Sequence, residues 1–185
     1  MSTFMVIYKG YQRLLTNHPM LVQSCQASVL MGTGDLIAQT VVEKKSIAEV
    51  DFGRTARFST LGLVLVGPTL TTWYKCLEKL YGTSKKYRVI KKVATDQLCF
   101  VPCFHAVFIT SINVLNGHDW AFTKEQLRLK YVDVVTSNYA LWPAVQLVNF
   151  RFVPLSYQVL VVQCVAVFWN VYLSWKTQFG VEKKL

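Results

Sequence analysis

Residues 152–175 read FVPLSYQVLVVQCVAVFWNVYLSW and contain no Asp, Glu, Lys or Arg. A helix needs about 20 mostly apolar residues to cross the hydrocarbon core of a bilayer. Trp169, Tyr172 and Trp175 close this run and Lys176 follows them. Aromatic side chains followed by a cation are typical of a membrane–water interface. The run therefore predicts a transmembrane helix.

Three other stretches, residues 14–34, 58–74 and 97–118, are equally free of charged side chains. A surface helix of a soluble bundle carries charge on its outer face every three or four residues, so these stretches favour membrane insertion. We predict an all-α fold, a polytopic membrane helical bundle that forms a single domain over residues 1–185. Its spans cover about residues 19–42, 58–80, 93–115 and 152–175, and a short amphipathic segment at about 123–142 precedes the last span.

The composition supports a membrane protein and argues against a nucleic-acid-binding protein. Only 16% of the residues are charged, whereas soluble domains carry about 25%. The net charge is +10, but the basic residues lie between the apolar runs and not along them. This distribution is typical of membrane flanks that face anionic lipid. We expect the lipid bilayer to be the main partner and expect no nucleic acid contact.

The connection between the second and third predicted spans is strongly basic. Residues 75–92 carry seven Lys and Arg residues against the single acid Glu78. The positive-inside rule places this connection and both termini on the inner side of the membrane. Ser84 directly precedes Lys85 and Lys86, a pattern that suits a basophilic kinase, so Ser84 is a candidate regulatory site. An ordinary solvated loop is the simpler interpretation.

Small and polar side chains recur along one face of the first predicted span. Ser24, Ser28 and Gly32 are four residues apart, and Asp35 and Gln39 extend the same face. Small residues at this spacing let two helix backbones approach closely. A charged side chain in hydrocarbon costs about 2.5–3.5 kcal/mol, so the carboxylate of Asp35 needs a cation, a hydrogen-bond donor or water.

Two arginines, Arg54 and Arg57, begin the next predicted span and are the candidate cations for Asp35. If one of them pairs with Asp35, the carboxylate is a structural clamp and its loss chiefly lowers stability. If Asp35 instead faces water, its charge favours cations in a pore.

A second stripe precedes and enters the last span. Asn149, Ser156, Gln163 and Asn170 recur every seven residues, which predicts that all four project from one helix face. Such groups either hydrogen-bond between helices and hold the bundle together or line a narrow water-filled path. Both interpretations stay open for every polar residue of the predicted spans.

The middle of the chain contains several prolines and, at Asp96, another acidic residue within a predicted span. Gly67 and Pro68 lie inside the second span and Pro102 inside the third, so we expect kinks there. Pro143 should break the segment that leads into the last span. Asp96, near the start of the third span, is a further candidate for a pore or packing role because intramembrane acids are usually functional.

No catalytic constellation is visible, and we expect neither enzymatic activity nor a bound cofactor or metal. The three histidines have no Ser, Cys or carboxylate at motif spacing, and no Gly-rich phosphate loop occurs. The five cysteines fit neither a disulfide framework nor a zinc site, so we interpret them as small apolar packing residues. They are Cys25, Cys76, Cys99, Cys103 and Cys164.

Several motifs resemble those of the Mpv-seventeen family of small mitochondrial and peroxisomal membrane proteins. The strongest are WPAVQLVNF at 142–150, the Val153-Pro154 pair and WNVYLS at 169–174. Thr71 and Gln158 depart from the pattern, because many members have His and Arg there. Family-like positions also occur, in order, at Gly34-Asp35 with Gln39, at Asp51, Arg54 and Arg57, at Gly67-Pro68 with Trp73-Tyr74, and at Asp96-Gln97 with Pro102.

The resemblance implies a four-helix protein with channel-like activity and a role in mitochondrial homeostasis and mitochondrial DNA maintenance. The closing stretch, residues 161–176, looks most like the mitochondrial inner-membrane branch of the family. We therefore expect a multi-pass inner-membrane channel that is weakly selective for small solutes, as a homo-oligomer or part of a larger membrane complex. The alternative is a non-conducting scaffold protein of mitochondrial or peroxisomal membranes.

Overall fold

The helices of this chain are described by a computed structural model that covers residues 3–82 and 87–182, with side chains from residues 5 to 82 and 87 to 171. No strand occurs in these ranges, and the predicted all-α helical bundle is confirmed. The helices are α1 (Thr3–Asn17), α2 (Pro19–Ile37), α3 (Phe52–Leu61), α4 (Gly67–Tyr81), α5 (Arg88–Thr95), α6 (Val101–Leu115), α7 (Trp120–Phe152) and α8 (Leu155–Glu182).

Within the described ranges, three π-helical turns widen the helices, and two of them end two residues before a proline. The turns cover Ala38–Val42 after α2, Gly62–Val66 before α4 and Asp96–Phe100 before α6. Pro68 and Pro102 are the second residues of the helices that follow. Because proline lacks an N–H and clashes with the carbonyl four residues earlier, a wider turn accommodates it. The positions predicted to kink are therefore positions where the helix geometry changes.

Pro143 does not interrupt its helix, contrary to the prediction. The helix α7 runs unbroken from Trp120 to Phe152 with Pro143 inside it, so residues 123–142 form the first part of a longer helix. Membrane helices tolerate the loss of the single backbone hydrogen bond that proline removes. The helix ends instead at Val153 (φ −93°, ψ 128°), because the next residue is Pro154 and a residue before proline is pushed towards extended backbone.

Many large apolar side chains lie on the outer surface of the helices, as lipid contact requires. Within the described ranges, Arg88–Leu115, which comprises α5, its π turn and α6, is the one helix long and apolar enough to cross a membrane. Only 6% of its most apolar stretch is buried. Large apolar side chains are exposed elsewhere too, among them Val29, Val64 and Phe168. The remaining predicted spans, at 19–42, 58–80 and 152–175, stay predictions.

The chain divides into two compact units. The first comprises Met1–Trp73 and Val159–Leu185, and the second comprises Tyr74–Gln158. In the first unit, α2 packs on α3 and on the π turn Gly62–Val66. In the second unit, α5 and α6 pack on α7. The single membrane domain over residues 1–185 stays a prediction.

The small residues of α2 form a ridge on which the following helices pack. A Cβ atom on Gly67 would lie 2.4 Å from Ser24 Cα, so α4 and α2 touch backbone to backbone. A Cβ atom on Gly32 would lie 2.3 Å from Ser59 Oγ in α3. Ser28, which lies between Ser24 and Gly32 on the same face of α2, is half-buried. The close approach predicted from the four-residue spacing is present.

Candidate functional sites

Asp35 is buried at the end of α2 and accepts hydrogen bonds from three side chains. Arg54 Nε donates to Asp35 Oδ1 over 2.6 Å. Thr55 Oγ1 (2.7 Å) and Gln39 Nε2 (2.8 Å) donate to Asp35 Oδ2. The Asp35 side chain is only 2% exposed. The predicted ion pair with Arg54 is present, and the geometry favours the clamp interpretation of Asp35 over a water-facing one.

Gln39 extends the Asp35 cluster to the start of α3. It is 0% exposed and lies in the π turn Ala38–Val42. Gln39 Oε1 accepts the backbone N–H of Asp51 over 2.8 Å. Asp51 in turn caps α3, since its Oδ1 accepts the backbone N–H of Arg54 over 2.8 Å. The buried side chain of Gln39 and the exposed side chain of Asp51 therefore hold the two ends of the loop between α2 and α3 together.

The outer rim of this cluster is a chain of exposed and half-buried charges. Arg54 Nη1 lies 2.7 Å from Glu43 Oε1, and Lys45 Nζ lies 2.9 Å from Glu43 Oε2. Burial acts to raise the pKa of the Glu43 carboxyl, but hydrogen bonds from Lys45 and Arg54 outweigh it and hold the pKa below its ordinary value. Arg57, the other candidate for Asp35, pairs instead with Asp51 at 3.6 Å.

A second buried carboxylate, Asp96, organises the second unit. It lies in a π turn and is 1% exposed. Asp96 Oδ2 accepts from Gln97 Nε2 over 2.8 Å and from Gln146 Nε2 over 3.0 Å. Gln146 Nε2 also donates to the Tyr74 hydroxyl over 2.8 Å. Tyr74 is 1% exposed, so its hydroxyl group belongs to this buried cluster.

A series of buried amides continues from Gln146. Asn149 Nδ2 donates to Gln146 Oε1 (3.1 Å) and to the carbonyl of Gln158 (3.3 Å), and Gln158 Nε2 donates to the carbonyl of Val153 (3.0 Å). Several of the buried amide oxygens in this region accept no hydrogen bond themselves. Within the described part of the chain, Gln97 Oε1, Asn149 Oδ1 and Gln158 Oε1 are buried with no hydrogen-bond partner. They can accept hydrogen bonds from water or from a solute.

Lys92 places a positive charge in the interior of the second unit. It is 1% exposed, although the sequence placed it in the solvated basic connection. Its Nζ donates to the Glu78 carboxylate and lies 5.8 Å from the centre of the Phe150 ring. Arg88 Nη1 lies 3.9 Å from Glu78 on the outside. The ion pair with Glu78 offsets the cost of burying the Lys92 side chain.

The seven-residue stripe does not form one helix face. Asn149 belongs to α7, whereas Ser156, Gln163 and Asn170 belong to α8, beyond the break at Pro154. Ser156 is exposed, Gln163 is 3% exposed and Asn170 is half-buried. A spacing of seven residues says nothing about where a helix ends, so the prediction of one shared face is wrong.

The remaining candidates behave in different ways. All five cysteines are free and exposed, so their interpretation as packing residues is wrong; an apolar side chain that faces lipid shows the same sequence pattern as a buried one. Pro68 is half-buried, and Ser84 lies outside the described residues. In the described ranges, no group of three His, Cys, Asp or Glu side chains is placed to hold a metal ion.

Exposed apolar helices with buried, hydrogen-bonded carboxylates inside them define a helical membrane protein. The sequence pattern of the Mpv17 / PMP22 family matches residues 113–174. The chain is 45% identical over 172 residues to "Mitochondrial inner membrane protein Mpv17" of Homo sapiens and equally so to that of Rattus norvegicus. Each alignment covers 93% of this chain and 98% of the relative.

A more distant relative, "Mitochondrial inner membrane protein Mpv17" of Caenorhabditis elegans, is 38% identical over 178 residues, which is 96% of this chain and 97% of the relative. No solved structure matches the chain. The chain belongs to the Mpv17 / PMP22 family. It is a protein of the mitochondrial inner membrane, as the resemblance of its closing stretch implied.

Proposed function

We propose that this protein forms a weakly selective channel for small solutes in the mitochondrial inner membrane. The observation that carries the proposal is the Asp96 cluster. Polar groups inside a membrane are expensive and are usually retained for function. Asp96, its amide neighbours and the three unpartnered amide oxygens supply the charge and the acceptors that a water-filled path needs.

The first unit contrasts with the second in this respect. Asp35 accepts from Arg54, Thr55 and Gln39, and this arrangement uses its charge to join helices. A carboxylate saturated in this way has little capacity left to attract an ion. We therefore treat Asp35 as a structural residue, and the proposed conduction path involves the unpartnered amide oxygens around Asp96.

Recording from purified protein in planar bilayers tests the proposal. The intact protein should conduct small ions, and Asp96→Asn should alter conduction. Asp133→Asn is the matched control, because Asp133 is exposed on α7 and its substitution removes the same charge. A folded protein that never conducts at any applied voltage would contradict the channel and leave the scaffold.

The non-conducting scaffold remains the second candidate. It is favoured by the backbone contact of Gly67 with Ser24 and by the Asp35 clamp, both of which hold helices together. A scaffold predicts loss of assembly, without loss of current, when these contacts are broken. Helix-packing variants with normal assembly but altered current would argue against it.

We further propose that the channel supports mitochondrial homeostasis and mitochondrial DNA maintenance, as a homo-oligomer or within a larger membrane complex. The role in DNA maintenance is indirect, because the basic residues of the sequence favour lipid contact over nucleic acid. We propose no enzymatic activity. Cells that lack the protein should lose mitochondrial DNA copies and regain them on re-expression. Unchanged copy number would contradict this part of the proposal.

A further inference from the structure

The first helix, α1, does not continue along the axis of α2. His18 separates them with a non-helical backbone (φ −131°, ψ 57°), and Pro19 begins α2. Gln26 Nε2 nevertheless donates to the Tyr11 hydroxyl over 2.8 Å. On one straight helix, these two residues would be about 22 Å apart, more than two side chains can bridge. The chain therefore turns sharply at His18, and α1 crosses the start of α2.

The two sides of α1 differ in chemistry. Leu15, 2% exposed, fixes the helix to the first unit, whereas Ile7 and Leu14 are 67% and 56% exposed. Lys9 and Arg13, four residues apart and both exposed, project about 100–160° around the helix from those two apolar side chains. At the start of the helix, Met5 and Val6 are also apolar and exposed, on the basic side. An amphipathic helix with exposed apolar and basic sides is suited to the surface of a bilayer.

Charge restricts where this helix can lie. No acidic residue occurs before Asp35, so the charged side chains of α1, Lys9 and Arg13, are both cations. Lys9 and Arg13 in hydrocarbon would each cost about 2.5–3.5 kcal/mol. In the headgroup region, the same two cations meet the phosphates of anionic lipid.

We propose that α1 is an interfacial anchor that lies in the headgroup region and binds anionic phospholipid through Lys9 and Arg13, with Ile7 and Leu14 in the acyl boundary. The anchor holds the start of α2 at a fixed depth in the membrane. It is independent of conduction, because it involves neither Asp96 nor its neighbours. A channel that fails in bilayer recordings would leave it untouched.

The test uses the full chain in phospholipid vesicles, with the five native cysteines replaced by alanine and a fluorophore on Leu14→Cys. Phosphatidylglycerol with brominated chains should quench the fluorophore more strongly than brominated phosphatidylcholine at equal mole fraction. Each cation should contribute up to about fivefold to this lipid preference. The double variant Lys9→Gln with Arg13→Gln should abolish the preference, and Lys9→Arg with Arg13→Lys should retain it.

The matched control is Lys124→Gln with Lys130→Gln, which removes two exposed cations from α7 and should leave the preference at Leu14→Cys unchanged. The depth of α1 is measured separately with aqueous iodide, which should quench a fluorophore on Lys9→Cys and spare one on Leu14→Cys. Equal quenching by the two lipids, an equal loss in the α7 control, or iodide quenching at both positions would each overturn the proposal.

Discussion

Arg54 Nε donates to Asp35 Oδ1 across 2.6 Å and thereby ties the end of α2 to the first turn of α3. The same arginine reaches Glu43 with its Nη1, so one guanidinium joins a buried acid to a half-buried one. Arginine suits this task because its planar fork presents several donors in fixed directions. The relationship makes Asp35 the centre of a helix junction in the first unit.

Asp35→Asn should lower the stability of the folded protein by about 2–3 kcal/mol, because Arg54 loses its buried partner and keeps only Glu43. The melting temperature in detergent measures this loss, with the exposed Asp133→Asn as control. The reversal potential in a salt gradient should not change. A variant that melts like the unaltered protein would refute the clamp, and a shifted reversal potential would assign Asp35 to the pore.

The change in melting temperature on replacing a glycine should depend on which atom the new Cβ contacts. Gly67→Ala directs its methyl group at backbone atoms of Ser24, which cannot yield, so it should lower the melting temperature markedly. Gly32→Ala meets only the rotatable hydroxyl of Ser59 and should be milder, whereas Gly32→Leu should disrupt packing. Gly10→Ala, with nothing within 4 Å, should be neutral or stabilising by up to about 1 kcal/mol. Equal melting temperatures for all four variants would show that this ridge faces lipid.

Lowering the pH should weaken the ion pairs at the rim of the Asp35 cluster, because Glu43 becomes protonated. The pKa of Glu43 is lowered in the folded protein, so its ionised form contributes stability that is present above the ordinary pKa and is lost as the pH falls through the folded value. The melting temperature of the unaltered protein should therefore exceed that of Glu43→Gln near neutral pH. The two should converge once the pH falls below the folded pKa of Glu43. A gap that is independent of pH would show that the Glu43 charge contributes nothing.

The sequence predicts the first of these clusters well because elementary chemistry demands it. An acid inside an apolar segment needs a cation, a hydrogen-bond donor or water, and Arg54 and Arg57 are near in the chain, so the sequence offers both arginines as partners of Asp35. The structure selects Arg54. The small-residue ridge at Ser24 and Gly32 follows for a similar local reason, since helix periodicity alone places these residues on one face.

The second cluster depends on contacts between residues far apart in the chain, which a single sequence does not reveal. Asp96 and Gln146 are 50 residues apart, and Gln146 is visible in the sequence only as one letter of the WPAVQLVNF motif. The burial of Lys92 is missed for the same reason. A count of charged residues in a connection cannot show that one of these side chains points inward and pairs with Glu78. Thr71 and Gln158 show how departures from the family pattern are accommodated.

Both of these departures are buried and hydrogen-bonded. Thr71 Oγ1 lies 2.8 Å from Gln23 Oε1, and Gln158 Nε2 donates to the carbonyl of Val153. A neutral side chain at each position therefore keeps a polar contact without bringing a charge into the interior.

Asp96→Asn should shift the reversal potential in a salt gradient towards anions while the protein stays folded. The asparagine has nearly the same shape, and its oxygen can still accept from Gln97 and Gln146, so the change removes the charge more than the contacts. A carboxylate beside a conducting path favours cations by its charge, and its loss reduces that preference. Asp133→Asn removes an equal charge at an exposed site and should leave the reversal potential unchanged. A melting temperature within the range of this control establishes that the fold is intact. If the folded Asp96→Asn protein conducts with an unaltered reversal potential, the Asp96 cluster is a packing element, and the conduction path must be sought elsewhere in the chain or between copies of it.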